Sequence, residues 1–164
     1  MTSSYSFSHR IAEGDLAVVR HFGNTVPVRV GALAEALGLK VVLATLPMNI
    51  SGSIQPDDQG GYIIKVNRFE SKERQRFTIA HEIAHYLIHK SHLTATVTDS
   101  VLYRSRLSSR VEAEANRLAA DIVMPRDAVY SAINNSDGQL TDGDIASLAT
   151  EFGVSKQAMA IRVG

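Results

Sequence analysis

Residues 78–89 read TIAHEIAHYLIH and contain His81, Glu82 and His85 in the spacing His-Glu-x-x-His. On an α-helix, residues four apart share one face, a turn from each other. The two imidazoles could therefore bite a single metal ion while the Glu82 carboxylate stands beside it. A metal held by neutral imidazoles makes water nucleophilic near neutral pH, and an adjacent carboxylate can take the proton from the attacking water. The other reading is an ordinary helix carrying satisfied or solvated histidines. A helical wheel separates the two. Phe77, Ala80, Ile83, Ala84, Leu87 and Ile88 form one apolar arc, and His81 and His85 sit at its edge, where a core would meet a cleft. A solvent-facing pair would lie opposite. Glu82 and His89 lie further round. His89 is eight residues beyond His81, too far along to share the same ion, and reads as an exposed histidine at a helix end rather than a substrate contact.

A hydrolytic metal usually has three protein ligands and one open position. A third histidine six residues after His85, with glycine at three, would complete one familiar pattern, but those positions hold Ile88 and Ser91. A carboxylate from a second helix is the alternative. The segment SSRVEAEANRLAADIVMP offers Glu112 and Glu114. The wheel places Glu112 on the apolar face with Ala115, Ala119 and Val123, and Glu114 on the polar face with Arg110, Arg117 and Asp121. An inward carboxylate is costly unless it binds metal or finds a partner. A metal would account for Glu112; a buried ion pair or a cap would be the other way to keep it. Glu114 reads as solvated. Asn116, one turn on from Glu112, could accept a hydrogen bond from a ligand imidazole.

These side chains need a scaffold. Helical patterns cover residues 8–20 and 29–37, the latter stopped by Gly38. KVVLATL (40–46), a short stretch at 50–54 and YIIKVN (62–67) read as strands, with the turn cluster PDDQGG between the last two. Ser71 is a candidate N-cap for a helix over 72–90. A polar loop follows, then helices over 109–124 and PRDAVYSAI, and two more within 142–163 split at Gly153. The order predicts an α+β domain with a small, mostly antiparallel sheet packed against the His-Glu-x-x-His helix. YIIKVN could be an edge strand that pairs with an extended peptide, or an ordinary internal strand.

The 164 residues fit one domain with a small appendage. A hydrophobic share of 45% is ordinary for a chain that buries a core. Lys+Arg and Asp+Glu both number 17, so the net charge is zero, which argues against non-specific nucleic-acid binding. There is no cysteine, so any metal must sit on His, Asp or Glu. The amino terminus lacks a signal-peptide apolar stretch, and no apolar run reaches the roughly 18 residues of a membrane span. The expectation is a cytoplasmic protein.

Several segments together resemble the ImmA/IrrE metallo-endopeptidases: PVRVGALAEALGLKVV (27–42), GGYIIKVN (60–67), ERQRFTIAHEIAHYLIH (73–89), YRS (103–105) and EAEANRLAADIVMP (112–125). Leu118 and Ile122-Val123 stand where that family prefers Phe and Leu-Leu. The resemblance implies a zincin-like fold, with His81, His85 and Glu112 as metal ligands and Glu82 as general base. It implies Zn2+ as the cofactor; His/Glu sites also bind Mn2+, with zinc usually tighter. It also implies a protein substrate, a helix-turn-helix transcriptional repressor or antitoxin-like regulator, whose cleavage derepresses phage, mobile-element or stress genes. Tyr103 is a candidate oxyanion donor, against the reading of a packing or surface tyrosine.

DIASLATEFGVSKQAMAIRV (144–163) has helix-turn-helix character, with Ala149, Gly153 and Val154 at its small, turn and apolar positions. Residues 1–124 are expected to form the peptidase core, and 125–164 a helical subdomain packed on it or docking the target. Lys156, Gln157 and Arg162 could read DNA, although no broad basic patch surrounds them. The rival reading is therefore a DNA-binding or partner-binding regulator that uses the same fold without proteolysis.

Overall fold

The computed structural model describes residues 5–93, 109–134 and 138–164. Among these, a 3-10 turn (Ser8–Arg10) precedes α1 (Glu13–Phe22), α2 (Val30–Ala36), β1 (Leu39–Ala44), β2 (Gly52–Pro56), β3 (Tyr62–Asn67) and α3 (Lys72–Ile88). A second 3-10 turn (Lys90–Leu93) is followed by α4 (Ser109–Val123), α5 (Arg126–Ile133), α6 (Asp142–Phe152) and α7 (Lys156–Val163). The architecture is α+β: a three-stranded sheet, with α3 between it and α4. No helix of the described residues is long and apolar enough to cross a membrane.

The strand order is β1-β3-β2. β2 and β3 are antiparallel and β1 and β3 are parallel, so the sheet is mixed rather than mostly antiparallel. The reason lies in the connection after β1. Residues 45–51 pass the end of β3 and step across two strand spacings, about 10 Å, leaving a slot that β3 fills. The buried Asn67 pins this crossing: its amide donates to the carbonyls of Leu46, Pro47 and Ile50 at 3.3, 3.3 and 3.0 Å. β3 is paired on both sides, so YIIKVN is an internal strand, and it offers no free edge to a peptide.

α3 begins where Ser71 accepts a hydrogen bond from the Arg74 N–H, an N-cap that satisfies one of the helix's first donors. Its buried Ala80, Ile83, Ala84 and Leu87 form the predicted arc. One side of the arc meets the sheet, whose Ile54, Ile64 and Val66 are buried. The other meets α4, which buries Ala115, Leu118, Ala119 and Ile122. Each fully buried Leu or Ile contributes about 1.5–3 kcal/mol. The alanines on both helices let their backbones approach closely. β2 also lies close to its neighbours: a Cβ at Gly52 would meet the Thr78 methyl and come within 2.6 Å of the Lys65 carbonyl oxygen.

The C-terminal helices are tied to α3 and to α4. Thr141 and Asp144 form a capping box on α6, Ser155 caps α7, and Gly153 makes the turn between them at φ 67°. Arg76 of α3 donates to the carbonyls of Gly153 and Phe152 at 3.0 and 3.4 Å. Arg162 of α7 donates to Asp121 at 2.7 Å and to the Met124 carbonyl at 2.8 and 3.1 Å. Arg162 is thus engaged inside the fold and is not available to read DNA. Lys156 and Gln157 remain exposed, and Lys156 already lies 4.0 Å from Asp142.

Two glycines mark where this packing admits no side chain. Gly153→Ala should introduce left-handed strain and displace the Arg76 guanidinium, whose Nε would lie 2.7 Å from the new Cβ. Gly52→Ala should force β2 away from α3. Each is expected to cost about 1–3 kcal/mol, a fall of roughly 3–10 °C in Tm for a domain of this size. Gly14→Ala, with nothing within 4 Å of its Cβ, should not lower Tm. Equal melting of all three variants by circular dichroism would refute this account of the packing.

Candidate metal centre

α3 presents His81 and His85 one turn apart, and α4, lying alongside, presents Glu112. The three side chains converge. His81 Nε2 is 3.1 Å from Glu112 Oε2, His85 Nε2 is 3.0 Å from Glu112 Oε1, and the two Nε2 atoms are 3.2 Å apart. These groups can offer ligand atoms that lie within 4.8 Å of one another, so His81, His85 and Glu112 could hold a metal ion. The donor set suits one. Zinc bonds of about 2.0–2.1 Å at tetrahedral angles place ligand atoms about 3.3 Å apart. The observed contacts are close to that spacing: the two imidazole nitrogens are 3.2 Å apart, and each lies 3.0–3.1 Å from a different oxygen of the Glu112 carboxylate.

Burial is graded across the site. The His85 side chain is 0% exposed, that of His81 14% and that of Glu112 37%. The metal-facing carboxylate thus sits at the rim, not in the middle of the apolar face where the wheel placed it. Glu82 is buried, next in sequence to His81. Burial tends to raise the Glu112 pKa, but hydrogen bonds and charge from His81 and His85 outweigh it, and the carboxyl is held well below the usual carboxylate range.

A second layer holds the imidazoles. His81 Nδ1 is 2.8 Å from Asn116 Oδ1. His85 Nδ1 is 3.0 Å from His89 Nδ1, and His89 Nε2 is 2.9 Å from Glu114 Oε1. Arg10 completes the set, with its guanidinium 3.2 Å from Glu114 Oε1 and donating to the Ile88 carbonyl at 3.1 Å. Two sequence expectations are corrected here. His89 is 2% exposed and Glu114 8%, so neither is the solvated residue that the wheel suggested. The face of α4 that carries Glu114 and Asp121 is covered by the N-terminal segment, which brings the Arg10 guanidinium to Glu114 and the Ser6 N–H to Asp121. A wheel drawn for one-sided packing cannot show that. Burial pushes the His89 pKa down against the pull of Glu114, which favours the neutral ring. The hydrogen bond from His89 in turn holds the Glu114 carboxyl below its ordinary value. The available signal was the stripe itself: three histidines at i, i+4 and i+8 share one helix face. Tyr103 lies outside the described residues.

A search among curated proteins finds no match. Among solved structures, a Mycobacterium tuberculosis transcriptional regulator is similar, with a TM-score of 0.60 at 19% identity. The similarity covers 97% of this chain and 48% of that one, so the chain spans about half the length of the structure it matches. At that identity the likeness concerns the fold. Residues 34–163, from within α2 to the end of α7, match the peptidase M78 family in its IrrE N-terminal-like domain. That stretch contains α3, α4 and all three converging side chains, and the chain belongs to the peptidase M78 family with its IrrE N-terminal-like domain.

Proposed function

We propose that the protein is a zinc-dependent endopeptidase in which His81, His85 and Glu112 hold the metal and Glu82 is the general base. The observation that carries this reading is the triangle of two Nε2 atoms and a carboxylate at 3.0–3.2 Å, presented by adjacent helices beside the buried Glu82. Bound zinc, or manganese, would supply Lewis acidity, polarising the scissile carbonyl and making water nucleophilic near neutral pH. The chain's own groups do the rest. His81 and His85 present unprotonated Nε2 atoms, and Asn116 accepts the Nδ1 proton of His81 and so holds its tautomer. Glu82 takes a proton from the attacking water and passes it to the leaving amine. Among residues outside the description, Tyr103 is the candidate donor to the developing oxyanion.

The substrate reading rests on family kinship: a helix-turn-helix repressor or antitoxin-like regulator whose cleavage relieves repression. The similarity to a transcriptional regulator fits a place in gene control. In this reading residues 1–124 are the catalytic core, and residues 125–164 are a helical subdomain that docks on it through Arg162 and Arg76. The cytoplasm, where such repressors act, is the proposed location. The alternative of a DNA-binding regulator is weakened by Arg162, which is bound to Asp121, and by the acidic Asp142, Asp144 and Glu151 on α6.

Two measurements test the proposal. The purified protein should carry or take up about one zinc per chain. Glu112→Ala should lose it, while Glu151→Ala, on the exposed side of α6, should not. Glu82→Gln should retain zinc but lower cleavage of a helix-turn-helix repressor by about 10²–10⁴-fold, the usual contribution of a general base. A Glu82→Gln protein that cuts at the normal rate would eliminate this mechanism. Removal of the metal by a chelator should abolish cleavage, and zinc should restore it.

A further inference from the structure

Glu114, His89 and Arg10 have no place in the ligand set, yet they form an unbroken polar chain that ends on His85. The direction of each hydrogen bond follows from its chemistry. An ionised carboxylate only accepts, so His89 Nε2, at 2.9 Å from Glu114, carries a proton and donates it. A neutral imidazole has one N–H, so His89 Nδ1 is then an acceptor. It faces His85 Nδ1 at 3.0 Å, which must therefore be the donor. That leaves the lone pair of His85 on Nε2, the atom facing His81 and Glu112.

We infer that His89 and Glu114 form a buried relay that sets the tautomer and ring orientation of His85, making them positioning residues for the metal centre. The inference rests on the metal-site reading above. The relay is anchored by a hook at the chain's beginning. Phe7 adopts a left-handed conformation at φ 60° and turns the chain into the 3-10 segment that carries Arg10. The guanidinia of Arg10 and Arg117 each lie 5.3 Å from the centre of the Phe7 ring. Arg10 then spans from Glu114 to the Ile88 carbonyl at the end of α3. Arg10 thus balances the relay's anion together with Arg110, whose Nε lies 3.6 Å from Glu114 Oε2, and ties it to the last turn of the helix that bears both imidazoles. Because His89 is the C-cap residue of α3, the end of that helix and the tautomer of His85 are held by the same contacts.

The test compares zinc dissociation constants, measured by chelator competition, for the full chain and three variants. His89→Phe fills the space without a polar atom and should weaken zinc by roughly 10–100-fold, the usual effect of removing an outer partner of a ligand histidine. His89→Gln keeps an acceptor for His85 and a donor for Glu114, and should stay within about threefold of the parent. Glu114→Gln preserves shape, removes the charge that Arg10 balances, and should weaken zinc severalfold; it keeps the test decisive should His89→Phe not fold. Side-chain nitrogen NMR of the zinc-loaded parent should show Nδ1–H on His85, and Nε2–H on His89 with its Nδ1 unprotonated. Zinc affinity unchanged in both His89→Phe and Glu114→Gln, or a doubly protonated His89, would overturn the relay while leaving the metal site standing. A parent that takes up no zinc would overturn the site and the relay together.

Discussion

Two imidazole nitrogens 3.2 Å apart, each about 3 Å from one oxygen of the same carboxylate, are the constraint around which the fold is arranged. His81, His85 and Glu112 gain nothing from facing each other unless a cation or a proton stands among them, because their inner atoms repel. Holding them there requires two helices at close and unvarying separation. The alanines of α3 and α4 permit that approach, and the sheet behind α3 resists any retreat. The glycine in β2 and the Asn67 clasp serve the same end, since both bring the sheet against the helix without intervening bulk. Buried side chains run in a line from sheet to α3 to α4, and the metal-facing atoms emerge at the edge of that line.

The same helix pair carries charges that a one-faced helix would leave in water. Glu114 and Asp121 lie two turns apart on α4 and are both buried. Burying a carboxylate without partners would cost several kcal/mol, and each has cationic and N–H partners supplied from far away in the chain. Glu114 meets Arg10 and His89, while Asp121 meets Arg162 and the Ser6 N–H. α4 is thereby clamped at one end by the N-terminal hook and at the other by the last helix. The clamps are electrostatic where the α3 contact is apolar, so the orientation of α4 about its own axis is specified as well as its distance. That rotation decides whether Glu112 points at the imidazoles.

Much of the layout was legible in the residues. YIIKVN is the strand Tyr62–Asn67, the Ser71 cap starts α3, and the helix boundaries near Gly38 and Gly153 follow from glycine's tolerance of positive φ. The candidacy of Glu112 was legible too, because the wheel turned it toward the alanines of α4, although it stands at the rim of that face. What misled was the assumption of a single buried face. On a wheel, Glu114, Asp121 and His89 look solvated, since their local neighbours, such as Arg110 beside Glu114, are those of an exposed face. What buries the two carboxylates comes from afar: Arg10, Arg162 and Ser6 are about 40 to over 100 residues distant from them. The parallel pairing of β1 was hidden for a similar reason: it depends on where a short crossing lands.

The sequence by itself determined the chemistry available here: two imidazoles at helical spacing, a carboxylate between them, another on a second amphipathic helix, and no thiol to compete. Local spacing suffices for that, because an α-helix places side chains by rule. Only the tertiary structure decided which carboxylate meets the imidazoles and which one stands behind His89. It also decided that Arg162 is occupied within the fold, and that β3 is enclosed on both sides. Those outcomes depend on long-range pairing of charges and strands, in which a residue's surroundings come from chain segments that its own periodicity does not encode.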